Sequence, residues 1–261
     1  MHMDLSKIEP HEHISKLFNN AKKVDEFEYC STLLRIRGIE DHGWDPLCES
    51  DQLANQLMSL RNAPLENAFK LRLSLFLYCH LTEMSNVYNI TGNMLRVIMG
   101  ERYVMNPFIS ELHNSNKTAK YPTAKAARIK EWAELVGLES LGAIFELMLV
   151  KEVRNAFYHS DYILTNDRFN IRHGRGVHIG HEIMHSVPYE WLFPRIQLGI
   201  NTALAILDLT IDHIQSYTED KVVKGRFAPN GGYIDIQLTT QEGYGLTGFK
   251  SPPEARFNES N

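Results

Sequence analysis

Arg154, Asn155 and His159 fall within one short stretch, Lys151-Glu152-Val153-Arg154-Asn155-Ala156-Phe157-Tyr158-His159-Ser160-Asp161-Tyr162. Their types suit phosphodiester chemistry. A guanidinium keeps its charge and offers a planar fork of donors to phosphate oxygens. An imidazole takes and gives a proton near neutral pH. Asparagine adds a neutral donor and acceptor. RNA carries its own nucleophile, the ribose 2′-hydroxyl. A base and a cation are therefore enough for transesterification, with the cation stabilising charge that develops on the phosphoryl oxygens.

The spacing makes a demand on the backbone. On an unbroken helix, five positions turn two side chains about 140° apart. Ser160-Asp161 favours a turn over a helix interior, so the helix is expected to end near Tyr158. His159 then either folds back beside Arg154 or meets a groove supplied by a second copy of the chain.

Several elements must carry this stretch. Residues 1–50 show little periodicity beyond Leu33-Leu34-Arg35-Ile36-Arg37, with Gly38, Gly43 and Pro46 as turns. A helix is expected from Asp51, a good N-cap. A second runs from Pro64 to about Tyr88, with Leu65, Phe69, Leu73, Phe76, Leu77, His80, Leu81 and Met84 on one apolar stripe. In that stripe His80 reads as a hydrogen-bonded core histidine. Residues 89–92 are expected to break the pattern, and 114–116 to be loop. A third helix starts near Thr123, carries Ala126, Ile129, Trp132, Ala133 and Val136, and is capped by Gly137. A fourth runs from Glu139 through Val153 and delivers Arg154.

After His159 the period changes from helix to strand. Residues 162–165 and 168–172 read as a hairpin around Asn166-Asp167, and 177–179 as a further strand. Ser186 and Pro188 open a helix reaching about Tyr217, which Pro194 should kink or restart. Residues 233–238 alternate as a strand that 246–249 can pair with, and a tail follows from Ser251. The expected organisation is an N-terminal extension (1–50), a helical bundle (51–220) with a β insertion at about 162–180, and a Gly-rich β segment and tail (221–261).

Arg-Asn-Ala-Phe-Tyr-His after an apolar helix resembles the Arg-Asn-x-x-x-His motif of HEPN domains, the higher eukaryote and prokaryote nucleotide-binding superfamily. The resemblance implies an α-helical bundle; with the strands read above, the expected fold is mainly α, a HEPN-like helical bundle with small β-hairpin insertions and a short C-terminal β segment. It implies a homodimer in which two copies of the motif line one cleft. It also implies metal-independent RNA cleavage, no cofactor, and a place in toxin–antitoxin or anti-phage defence systems with a partner protein. Some members have lost catalysis and only bind. By the same resemblance Arg154 holds phosphate, Asn155 assists it, and His159 is the acid–base residue. An acidic residue from an earlier helix, Glu66 or Glu83, is expected to support the site. HEPN toxins silenced by nucleotidyltransferases carry tyrosine two residues after the histidine. Here that position is Asp161, and the tyrosine is Tyr162.

Tyr158, Asp161, Arg168, Arg172 and Arg175 are the expected substrate-binding residues, with His173, His178, His181 and His185 enlarging a basic flank. The alternative for that flank is a solvated hairpin. His181-Glu182-Ile183-Met184-His185 also spells HExxH, in which two histidines one helical turn apart bind zinc. Gly180 before it and Pro188 after it leave little room for the required helix, so a zinc hydrolase is the lesser reading and no metal ligands are assigned.

Composition sets the outer limits. The chain has 261 residues, 43% hydrophobic and 23% charged, enough to bury a sizeable core. Its net charge of −5 argues against coating nucleic acid by bulk electrostatics, while leaving room for a local basic site. Three scattered cysteines give no disulfide framework, and the polar start shows no signal peptide. A cytoplasmic location follows from both as an expectation. No apolar run free of charge is long enough to span a membrane.

Overall fold

The computed structural model describes residues 5–35, 46–109, 119–227 and 231–251. The expected turns at Gly38 and Gly43, the loop at 114–116 and the tail beyond 251 lie outside them. Among the described residues the fold is mainly α, with nine α-helices around one contiguous core and three small antiparallel sheets.

The weak periodicity expected of residues 1–50 is corrected. After a 3-10 turn at Leu5–Lys7, α1 (Pro10–Val24) buries Ile14, Leu17, Phe18 and Ala21, a stripe at helical spacing. The polar Ser15, Lys16, Asn19 and Asn20 between those residues, with His11 and His13 before them and Lys22 and Lys23 after, mask that stripe in the sequence. Next, α2 (Glu26–Leu34) starts at Asp25, whose carboxylate accepts the Glu28 N–H at 3.0 Å. The third helix, α3 (Pro46–Asn62), begins before the expected Asp51.

The long second helix is two helices, α4 (Asn67–Glu83) and α5 (Ser85–Ile98). The break falls at Met84, which is extended at φ −60 and ψ 116, and not at 89–92. There the Asn93 amide donates to the Asn89 carbonyl at 3.1 Å and to the Val104 carbonyl at 2.9 Å, so polar side chains satisfy the backbone locally. Gly92 admits the Phe108 ring, which a Cβ would approach to 2.9 Å. At the true break, the buried Tyr88 hydroxyl donates to the freed Thr82 carbonyl at 2.7 Å.

Helix α6 (Pro122–Leu135) is followed by Gly137 at φ +70, as expected of the cap. The fourth helix is also divided, into α7 (Glu139–Leu147) and α8 (Lys151–Tyr158). A second buried tyrosine serves this break. Tyr78, on α4, donates to the Met148 carbonyl and accepts the Val150 N–H, both at 2.9 Å. One hydroxyl thus closes both orphaned groups.

Beyond α8 come β1 (Tyr162–Leu164) and β2 (Arg168–Ile171), the expected hairpin, which β5 (Ser186–Pro188) extends. A separate hairpin is made by β3 (Val177–Ile179) and β4 (Glu182–Met184). The last helix, α9 (Tyr189–Gln215), runs through Pro194 without restarting. The Arg195 guanidinium donates to the Trp191 carbonyl at 2.8 Å and lies 3.7 Å from that indole ring, a local support where proline disturbs the ladder. Helix α9 packs against α1 and α4 through the middle of the core. The C-terminal sheet pairs β6 (Lys221–Gly225), β7 (Ile234–Gln241) and β8 (Gly245–Lys250) in that order and lies against α2.

Gly199 on α9 meets the Tyr78 ring, where an added Cβ would stand 2.8 Å from Cε2. Gly199→Ala should therefore destabilise the fold by about 1–3 kcal/mol through overpacking, measured as a lowered denaturant midpoint at unchanged slope. An unchanged midpoint would show that Tyr78 is free to move.

Candidate functional site at the end of helix α8

Helix α8 stops where the spacing argument requires. The His159 N–H bonds the Asn155 carbonyl at 3.0 Å, and Ser160 turns left-handed at φ +56. The Ser160 N–H reaches the Phe157 carbonyl at 3.2 Å and the Asp161 N–H the Ala156 carbonyl at 2.9 Å. This is a Schellman ending, with serine in the place glycine usually takes. The Arg172 N–H then bonds the Asp161 carbonyl at 2.9 Å, and Tyr162 stacks on Phe169 with ring centres 5.1 Å apart. The hairpin is thereby tied to the helix end.

The side chains divide between two environments. Arg154 is only 6% exposed and faces α4, where its Nε lies 2.9 Å from Glu83 Oε1. The carboxylate stands off the N–H direction, so the contact is ionic without being a formed hydrogen bond. Nε and Nη1 are both sealed from solvent and lack an acceptor in hydrogen-bonding geometry among the described residues. That is costly for a buried charge. Asn155 and His159, one turn apart, are exposed. No hydrogen bond joins Arg154 to His159 among the described residues, and the two lie on different faces of the same helix end.

Glu83, not Glu66, is the acid beside Arg154. Glu66 caps the opposite end of α4, roughly 25 Å away at the helical rise. Lys125 on α6 was not anticipated. It is nearly buried, donates to Ser85 Oγ at 3.4 Å and lies 5.6 Å from the Tyr88 ring centre. Burial lowers its ammonium pKa, and the negative charge of Glu83 opposes that shift. The clue in the sequence is a lysine on an apolar stripe, one turn before Ile129. Tyr158, 48% exposed, has its phenol pushed up to about 12 by burial, with Cys79 and Glu83 adding and Arg154 opposing.

The expected substrate-binding residues are scattered. Asp161 contacts His173 Nδ1 at 3.2 Å. Arg168 turns to its neighbour Asp167 at 3.3 Å and to the Ser186 carbonyl at 3.3 Å. Arg172, Arg175, His173, His178, His181 and His185 are all exposed around the β3–β4 hairpin.

The helix required by HExxH does not form. Glu182–Met184 is a strand paired with Val177–Ile179, and Gly180 turns at φ +63. Four residues of extended chain separate His181 from His185 by roughly 13 Å, too far for a shared zinc ion. No group of three or more histidine, cysteine or acidic side chains among the described residues is disposed to hold a metal.

His80 also departs from expectation. It is half-buried, but its Nε2 is sealed without a hydrogen-bond partner among the described residues. Burial lowers its pKa, so the folded state resists the proton that the unfolded chain accepts below about pH 6.5. Burial and Lys22 lower His213 in the same sense. Stability should fall as pH drops through that value toward the folded pKa, and His80→Leu should flatten the slope in thermal melts from about pH 7.5 to 5.5. An equal slope in both proteins would remove His80 from this account.

No family model, curated protein or solved structure matches the chain. No helix among the described residues is long and apolar enough to cross a membrane.

Proposed function

We propose that this protein is a HEPN-type, metal-independent endoribonuclease acting as a homodimer, with two α8 ends lining one cleft. The observation that carries the reading is the end of α8. A buried cation with unsatisfied donors sits beside an exposed asparagine and histidine on the last turn. His159 takes the proton from the ribose 2′-hydroxyl, whose oxygen attacks phosphorus and expels the 5′-oxygen. A second copy of the histidine gives that leaving oxygen its proton. Arg154 reaches the phosphoryl oxygens when the half-exposed Glu83 swings toward solvent. The products are a 2′,3′-cyclic phosphate and a 5′-hydroxyl. The exposed arginines and histidines of the β3–β4 hairpin hold the flanking strand. An antitoxin or another defence-system protein restrains the enzyme in the cell.

Purified protein should cut single-stranded RNA in excess chelator, leave those two ends, and spare DNA of the same sequence, which lacks the nucleophile. Cleavage of both nucleic acids, or cleavage stopped by the chelator, would rule this mechanism out.

The burial of Arg154 against Glu83 favours a second reading, a HEPN-type module that binds RNA or a partner protein without cutting. It predicts affinity for RNA with no cyclic phosphate at any enzyme concentration.

A further inference from the structure

Away from the end of α8, a cleft of about 1150 Å³ opens between α4 and α9. Its walls follow from helical period. Asn67, Lys70, Leu71 and Ser74 form one face of α4, and Tyr189, Phe193, Gln197 and Asn201 recur every fourth residue on α9. Arg61 of α3, the β1–β2 turn, and Leu5, Ile8 and Glu9 ahead of α1 also line it. The volume exceeds what an ion or water needs and lies slightly above the usual range of small-ligand sites, about 300–1,000 Å³.

Three features narrow the occupant. First, Arg61, Lys70 and Arg72 line the cleft, and none has a carboxylate partner among the described residues. Arg61 is held by the Gln197 side-chain oxygen at 3.0 Å, and Arg72 by the Ala68 carbonyl at 3.2 Å. The acid in the lining is Glu9, although the whole chain carries 32 acidic against 27 basic residues. Such a local excess of positive charge beside low-dielectric walls concentrates anions. Second, Phe193 is stacked on Tyr189 with centres 4.7 Å apart and planes 11° from parallel, yet stays 42% exposed. The Tyr189 hydroxyl is fixed to the Thr165 carbonyl at 2.9 Å, so the aromatic surface is built in advance. Third, amides and hydroxyls of Asn67, Ser74, Asn166 and Asn201 supply neutral donors and acceptors.

We propose that this cleft binds a phosphorylated nucleoside, its base against Phe193, its ribose among the amides and hydroxyls, and its phosphate on Lys70 and Arg61, with Arg72 on the other side of Leu71 adding to the positive field. The ligand is either a free nucleotide or one nucleotide of an RNA strand, which share this chemistry. The proposal does not depend on the ribonuclease reading.

Calorimetric titration of the full chain with AMP, ATP, hexauridylate and inorganic pyrophosphate tests it. Saturable binding of AMP or ATP that substitutions in the cleft weaken assigns it to free nucleotides, and saturable binding of hexauridylate alone assigns it to a strand only where the same substitutions weaken it and Arg154→Lys does not abolish it. In either case Lys70→Gln combined with Arg72→Gln should weaken binding at least about tenfold, as expected for lost charge-assisted hydrogen bonds. Phe193→Leu should weaken the nucleotide or strand while leaving pyrophosphate unchanged. His159→Ala should leave the affinity intact, so failure of RNA cleavage and failure of this site are read separately. The proposal is overturned if none of the nucleoside probes binds saturably, if neither substitution moves the affinity, or if pyrophosphate binds as tightly as ATP.

Discussion

His159→Ala should remove RNA cleavage while leaving the protein folded. The imidazole is exposed and forms no side-chain hydrogen bond or ion pair among the described residues, and its backbone N–H bond to Asn155 survives the substitution. Stability should therefore change by no more than about 0.5 kcal/mol. Loss of a general acid–base group costs about 10²- to 10⁴-fold in rate. The effect should appear in kcat, with RNA affinity nearly unchanged, because phosphate binding is assigned to Arg154 and the basic flank. Arg154→Lys complements this test. It keeps the charge but loses the planar fork and the approach to Glu83, so it should impair both affinity and rate. Wild-type cleavage by the His159→Ala protein would end the assignment of His159. RNA binding without cleavage by the wild-type protein would favour the non-catalytic module.

The largest structural effect is expected from Tyr78→Phe. The substitution removes one oxygen but strands two buried groups, the Met148 carbonyl and the Val150 N–H. At about 1–3 kcal/mol for each unsatisfied group, and with some relaxation, the loss should be about 2–4 kcal/mol. In a chain of this size that corresponds to a fall in Tm of roughly 5–12 °C. Amide exchange at Val150 should accelerate more than in the middle of α9. RNA cleavage should fall too, because the α7–α8 break sets where α8 points and hence where Arg154 meets Glu83. A melting temperature within about 1 °C of wild type would show that water replaces the hydroxyl.

Local signals in this chain were reliable where neighbours in sequence supply the partner. The Ser160-Asp161 turn, Gly137 after α6 and the Asn166-Asp167 hairpin are all met by bonds within a few residues. The two helix breaks were not legible, because their orphaned groups are satisfied by tyrosines. Tyr78 reaches across from another helix, and Tyr88 folds back from the helix that follows. The break expected at 89–92 failed for the converse reason. Asn93 and the Phe108 ring make glycine and asparagine acceptable inside a buried helix. HExxH misleads in the same way, since a motif fixes residue types but pairing with Val177–Ile179 fixes the backbone.

The sequence by itself determined that Arg154, Asn155 and His159 would share a helix terminus, because the turn chemistry after Tyr158 is local. Tertiary structure decided what surrounds them. It buries Arg154 on Glu83, brings Lys125 to the same region from a helix about thirty residues earlier, and leaves His159 in solvent. Ion pairs and burial depend on which helix faces meet, and those are set by packing across the core rather than by spacing along the chain.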